Sequence, residues 1–286
     1  MPRFILLIFF LPVFLFAQKK INIGLFGGFA NYNGDLQAKR FTLNQAGGTF
    51  AGFLSYEIAP KLLIRGTLQL AKIGADDKKG LATVHNRNLN FHSKIYEASL
   101  VADYSFNDLE YQYFSPYVFG GLALFRFNPY TYDSSGNIAF LRLLGTEGQG
   151  LKEYPDRKVY SMYQFSVPFG VGVRLKISQN VVIGYEIGLR KTFTDYLDDV
   201  STTYVDEATL ASQRGRKSVE LAFRSNELKG GPQTYPLNGT VRGGSNYKDW
   251  YYFSGISVSV GLTNELGKLF ARKVGLGSVA CPRGVL

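Results

Sequence analysis

Between Val167 and Arg190 the chain changes polarity at every second residue. Val167, Phe169, Val171, Val173, Leu175 and Ile177 alternate with Ser166, Pro168, Gly170, Gly172, Arg174 and Lys176. After the link Ser178-Gln179-Asn180, the apolar set Val181, Ile183, Tyr185, Ile187 and Leu189 opposes Gly184, Glu186, Gly188 and Arg190. A period of two belongs to strands, so the two runs predict a tight hairpin with one apolar and one polar face. The pattern recurs upstream, where Phe50, Gly52, Leu54, Tyr56 and Ile58 oppose Thr49, Ala51, Ser55 and Glu57. Ala59-Pro60 then turns the chain into Leu62, Ile64, Gly66, Leu68 and Leu70, which oppose Arg65, Thr67 and Gln69. A further run sets Tyr96, Ala98, Leu100, Ala102, Tyr104 and Phe106 against Glu97, Ser99 and Asp103. Adding strands near 21–32, 116–127 and 249–262 makes about eight.

The links between these strands alternate in length. Short ones follow the second, fourth and sixth strands, whereas long ones, at about 33–45, 74–92, 128–161 and 194–248, follow the first, third, fifth and seventh. Short turns on one side and long loops on the other are the pattern of outer-membrane barrels. The expected fold is therefore all-β, an eight-stranded antiparallel up-and-down transmembrane β-barrel. A soluble lipocalin-like barrel would reverse the faces, with apolar residues inside and polar residues in water. The polar face decides between them. It carries Gly, Ser, Thr and scattered single charges, too sparse for a solvated exterior and suited to a narrow filled lumen. Four acids (Glu57, Glu97, Asp103, Glu186) and four bases (Arg65, Arg126, Arg174, Arg190) lie on it. A balanced set can pair across the lumen, as buried charges require, and gives a plug rather than a pore.

Composition agrees. Tyr and Phe number 19 and 23, Gly 32, and charged residues make up only 19%, a profile of pleated strands with interfacial aromatic girdles. A mean hydropathy of −0.05 excludes a bundle of membrane helices but not a barrel, in which only alternate strand residues meet lipid. At the start, Arg3, the apolar run 4–16 and Ala17 before Gln18 read as a signal peptide cleaved after Ala17. Its removal takes one charge from the net +10 and leaves +9. The expected domains are a signal peptide at 1–17, a barrel with four long outer loops at 18–263, and a basic periplasmic tail at 264–286 containing Lys268, Arg272, Lys273 and Arg283. The expected location is the outer membrane, with lipid as a partner and both termini periplasmic. The positive balance does not indicate nucleic acid, because the chain is exported and its bases are scattered among acids.

No catalytic, cofactor or metal site is expected, and the protein reads as non-enzymatic. His85 and His92 are the only two histidines, and Ser93 beside His92 would point to the opposite face of a strand, which is unsuited to a hydrolase triad. Asp195, Asp198, Asp199, Asp206 and Glu207 are a carboxylate group without the spacing or central Gly of a calcium loop, and read as solvated. Gly145-Thr146-Glu147-Gly148-Gln149-Gly150 lacks the Lys-Ser/Thr of a phosphate loop and reads as a flexible surface segment. Tyr247, Trp250, Tyr251, Tyr252 and Phe253 read as an interfacial girdle. Cys281, the single cysteine, is either a quiet thiol or one half of an intermolecular disulfide.

Five segments together resemble a family of small outer-membrane barrels. They are Asn31-Tyr32-Asn33-Gly34-Asp35-Leu36, the stretch 145–151, Arg190-Lys191-Thr192-Phe193-Thr194-Asp195-Tyr196-Leu197-Asp198-Asp199-Val200-Ser201, Asp249-Trp250-Tyr251-Tyr252-Phe253-Ser254-Gly255-Ile256-Ser257, and Cys281-Pro282-Arg283. The family includes PorG, the barrel of the type IX secretion and gliding machinery. The resemblance implies a non-enzymatic component that anchors or organises a periplasmic ring made of a PorK-like lipoprotein and a PorN-like protein. Cys281, a lone thiol on a basic tail in an oxidising compartment, is expected to form a disulfide with a periplasmic partner, for which the resemblance supplies the PorK-like lipoprotein and to which the basic residues of the tail would steer it. The alternative is a stand-alone surface barrel that binds an external ligand through its long loops.

Overall fold

The computed structural model describes residues 21–37, 42 and 44–262. The expected signal peptide at 1–17 and the expected tail at 264–286, with Lys268, Arg272, Lys273, Cys281 and Arg283, lie outside the described residues. Ten strands occur in chain order: β1 (Ile21–Asn33), β2 (Gly47–Ala59), β3 (Leu62–Asp76), β4 (Asn90–Ser105), β5 (Phe114–Arg126), β6 (Tyr130–Tyr132), β7 (Ile138–Phe140), β8 (Tyr163–Lys176), β9 (Val181–Thr192) and β10 (Trp250–Leu262). Eight of them, all but the small β6–β7 hairpin, form a closed antiparallel barrel in which each strand pairs with its neighbour in sequence. The ends are joined by β1 and β10, which run in register from Ile21↔Leu262 to Asn33↔Trp250. Closure pairs the backbone groups that an open edge would leave bare, which is what lipid demands.

The predicted alternation holds on every barrel strand, and its direction is now fixed. The apolar sets point outward and remain exposed: Leu68 is 72% exposed, Leu122 69%, Phe165 66% and Leu100 61%. Their polar neighbours Arg65, Gln69, Glu97, Asp103 and Glu186 are buried inside. A soluble barrel has the opposite polarity, so this wall belongs in hydrocarbon. Rings mark its two ends on β4, with Tyr96 and Tyr104 both outward; at about 3.3 Å per residue they lie about 26 Å apart along the strand, which at a tilt of about 40° spans about 20 Å of height, within an apolar membrane band of about 25 Å.

Only one rim carries tight turns. Lys61, in the left-handed region at φ 69°, completes the β2–β3 turn, and Gly261 N–H donates to Asn180 O beside the β8–β9 turn. At the other rim the long connections do not remain loops. They fold into a cap containing β6, β7, α1 (Leu141–Leu144), α2 (Glu207–Arg214) and α3 (Arg216–Ala222). Asp206 caps α2 by accepting from Thr209 N–H at 2.8 Å. Val205, Leu210 and Ala222 form a small apolar core there with Tyr154, Val219 and Tyr235. The glycine segment is the sharpest departure from the sequence reading. Gly145, Gly148 and Gly150 take φ of 57°, 75° and 76°, and the turns they make bury Thr146, Glu147 and Gln149, so the segment is a structural core of the cap and not a flexible surface stretch.

The last strand departs in a second way. Tyr251 and Phe253, expected in the girdle, point inward and are fully buried, because residues of one parity share one face; of that aromatic set, Tyr247 remains 84% exposed. If the wall meets lipid, Leu100→Arg near the middle of the apolar band should lower folding stability in phospholipid vesicles by about 2–4 kcal/mol. The same change made in a water-facing cap residue should have little effect, and urea titration of both variants measures the difference.

Candidate functional site

The lumen is built by size before charge. Glycines on the inward faces leave room for rings: a Cβ at Gly172 would sit 2.6 Å from the Tyr117 ring, and one at Gly24 would collide with the Phe53 ring. Tyr117, Phe119 and Phe53 fill those spaces and leave the charges two layers in which to pair. In the layer nearer the turn rim, Arg65 reaches Glu186 at 2.7 Å and Asp103 at 3.2 Å. Arg174 binds the same Asp103 and lies 3.8 Å over the Tyr117 ring, while the Tyr117 hydroxyl donates to Glu186 at 2.6 Å. In the layer nearer the cap, Arg190 contacts Glu97 at 3.3 Å and the Phe253 ring at 4.4 Å. The Tyr251 hydroxyl donates to Glu97 at 2.7 Å.

Six of the eight residues named from sequence as a lumen network thus meet in two clusters. Glu57 faces inward near the turn rim, in the wall of a vestibule of about 120 Å³. Arg126 is a correction. Its register partners are Tyr96 and Tyr163, both outward, so it belongs to the outer wall. It has the parity of Leu122 and Leu124 on the same strand, which also point outward, while Ala123 and Phe125 face the bore. Between the charge layers only a void of about 10 Å³ remains, and above them Phe125, Phe127, Tyr251 and Phe253 fill the bore.

The cap contributes a second concentration of buried charge, and it is here that four of the sequence segments singled out above converge. Tyr32 places its hydroxyl 2.5 Å from Asp198 and 3.1 Å from Asp249. Asp249 accepts Leu197 N–H at 2.8 Å. Asp199 accepts Thr146 and Tyr160 hydroxyls at 2.5 and 2.7 Å, Asp195 accepts Ser201 at 2.7 Å, and both carboxylate oxygens of Asp35 take Gly244 N–H at 3.0 Å. Glu147, from the glycine segment, receives Ser201 N–H, Thr202 N–H and Arg242 at 3.0, 3.0 and 2.9 Å. Arg87 binds Asp77 with both oxygens at 2.8 Å and the carbonyls of Arg242 and Asp35 at 2.7 and 2.9 Å, tying the second long connection to the first and fourth.

Acids outnumber bases in this cluster, and burial disfavours their charged forms. Burial pushes Asp195 and Asp199 up to about 6. Asp198 and Asp249 rise further, through burial first and then through neighbouring carboxylates, Asp35 beside the one and Asp198 beside the other.

These carboxylates were expected in solvent, and Asp195, Asp198 and Asp199 are buried instead. Asp206 and Glu207 do not join them; both are exposed at the start of α2. Among the described residues no group of three or more His, Cys, Asp or Glu is arranged to hold a metal ion. His92 and Ser93 face opposite sides of β4: His92 packs on Tyr130 with centroids 5.6 Å apart, and Ser93 is buried, accepting Asn128 N–H at 3.1 Å. The cap network could not be read from sequence, since its members come from four connections; the only clue was that the sequence segments in question are rich in Asp, Tyr and Gly.

An apolar outer wall, a filled bore and one folded end define a closed transmembrane β-barrel of the outer-membrane class. The chain belongs to the family described as Domain of unknown function (DUF6089), which matches residues 2–214. No curated protein matches it. Among solved structures it is similar to Neisserial surface protein A, at 12% identity and a TM-score of 0.41 over 85% of this chain and 99% of that one. It is also similar to Ail, the attachment invasion locus protein of Yersinia pestis, at 10% and 0.42 over 86% and 100%, and to OprG from Pseudomonas aeruginosa, at 11% and 0.37 over 84% and 96%.

Two outcomes follow. Arg190→Leu strands Glu97, and Glu186→Leu strands Arg65 beside a single remaining acid; each should cost about 3–5 kcal/mol. The reading is a lower temperature for the heat-modifiable shift on gels, and unchanged migration in both variants would mean that these charges do not hold the bore together. The cap has its own pH signature. Asp195 and Asp199 ionise near 3.8 when unfolded and near 6 when folded, so between those values the folded cap binds more protons and its stability falls as pH rises, then levels off above. Thermal unfolding followed by Trp250 fluorescence should therefore give a higher midpoint at pH 4 than at pH 7, and Asp199→Asn should flatten the difference.

Proposed function

We propose that this barrel is a non-enzymatic outer-membrane component of the type IX secretion and gliding machinery, which anchors or organises a periplasmic ring of a PorK-like lipoprotein and a PorN-like protein. In that setting the cap lies outside the cell and both termini lie in the periplasm. The observation that carries the reading is the convergence in the cap. The four family-like segments within the described residues contribute Tyr32, Asp35, Glu147, Asp195, Asp198, Asp199 and Asp249 to one buried network, which gives the resemblance a common structural cause. The filled lumen supports a scaffold over a conduit, because no water-filled path crosses the two charge layers. Ile21 and Leu262 pair at the rim opposite the cap, so the basic tail would begin on the periplasmic side, next to its ring partners.

A second reading, a stand-alone surface barrel that binds an external ligand, is favoured by one feature. Leu237, Val241 and Tyr247 are 83%, 74% and 84% exposed on the cap, so the fourth long connection presents apolar side chains that a ligand could cover. Removal of the chain after Leu262 separates the two. Under the first reading the truncated barrel still reaches the membrane but secretion stops and the PorK-like protein no longer co-purifies; intact secretion would leave the second. In the same membranes, non-reducing electrophoresis of the full chain should give a reductant-sensitive band containing both proteins, absent in Cys281→Ser.

A further inference from the structure

The lipid-facing wall is not uniformly apolar. Lys72 on β3 and Lys94 on β4 are cross-strand partners, both outward and exposed. Tyr96, two residues from Lys94 on the same face, is opposite Arg126 of β5. Three cations therefore occupy the cap-side ends of three adjacent strands, whereas on β8, β9, β10, β1 and β2 the outward positions carry one, Lys191. Among the described residues none of Lys72, Lys94 and Arg126 forms a salt bridge. Arg126 is held between rings, 6.0 Å from the centre of Tyr96 and 5.9 Å from that of Tyr163, the level of the membrane interface.

Directly below them the wall is grooved. Across neighbouring strands, Gly52, Leu68, Ala98 and Leu124 form one row in register, alternately small and large. The small members leave a channel of about 630 Å³ walled by Phe50, Leu70 and Tyr96. A second channel of about 510 Å³ shares those three residues and is lined by both lysines. Nothing lies within 4 Å of where side chains would begin at Gly48 and Gly66, on the same strands.

We propose that the cap-side ends of β3, β4 and β5 are a docking site for a phosphorylated glycolipid of the outer leaflet, of the lipid A class. Its phosphates lie on Lys72, Lys94 and Arg126, and acyl chains lie in the grooves over Gly52 and Ala98. Charge complementarity selects the headgroup: unpaired cations at the interface attract anionic lipid, and the guanidinium adds a planar phosphate contact. A spread over three strands, about 10 Å at about 4.8 Å per strand, suits a headgroup with more than one phosphate. The leaflet, though not the site, rests on the orientation given under Proposed function.

The test uses the mature full chain in nanodiscs of phosphatidylcholine containing either lipid A or phosphatidylglycerol, with retained lipid read by native mass spectrometry. Lipid A should be retained selectively, and the triple variant Lys72→Gln, Lys94→Gln, Arg126→Gln should weaken retention on the order of a hundredfold. Gly52→Leu with Ala98→Leu, which fills the groove and leaves the cations, should also weaken it; heat-modifiable migration checks that both variants fold. Equal retention of phosphatidylglycerol, full displacement by inorganic phosphate, or retention by the triple variant at the unaltered level would each overturn the proposal. Because both nanodisc leaflets carry the lipid, the result is independent of orientation, which cleavage by trypsin at exposed Lys229 in intact cells reports separately.

Discussion

A sheet closed in hydrocarbon can send its polar side chains only inward, and everything else in this molecule follows from that restriction. Eight strands enclose too little space for water to solvate a charge, so each inward charge must find a partner across the bore. Asp103 meets this demand by serving both Arg65 and Arg174, and Glu186 by accepting Arg65 and Tyr117 together. The glycines at 24 and 172 belong to the same solution, since without their missing side chains the rings of Phe53 and Tyr117 could not lie beside the ion pairs. Salt bridges that would contribute little on a surface here fix the contents of the barrel.

The cap solves the same difficulty by a different route. Its acids are more numerous than its bases, so it relies on hydroxyl and backbone donors. Thr146, Tyr160, Ser201 and Tyr32 supply donors to Asp199, Asp195, Asp198 and Asp249. Arg242 links Glu147 to the carbonyl of Asp199, and Arg87 links Asp77 to two further connections. Among the described residues the four long connections are thus bound to one another, and together they close one end of the barrel.

The outer surface reflects a third balance. Most of the wall is plain hydrocarbon, yet Lys72, Lys94 and Arg126 sit together where it ends. Charges in that position are inexpensive only at the interface, where they can reach headgroups and aromatic rings. The barrel wall therefore holds its vertical position by rings at both ends and acquires a distinct chemical character on the β3–β5 side alone.

Period-two alternation and the succession of short and long links were sufficient to determine eight strands, their order and the parity of nearly every side chain, because strand geometry is local. Residues 181–190 are legible in this way from the sequence alone. Arg126 was legible in the same way, since it shares the parity of outward Leu122 and Leu124, and placing it in the lumen broke the period of two at the strand's end. The balance of four acids and four bases was visible, but which ones meet is a matter of depth along a shared axis. The cap lay furthest from reach. Asp35, Glu147, Asp199 and Asp249 look like solvated loop residues when each is judged by its neighbours in sequence. Their burial arises because closing the barrel brings four separated connections over one small opening, where the chain has no room to keep them apart.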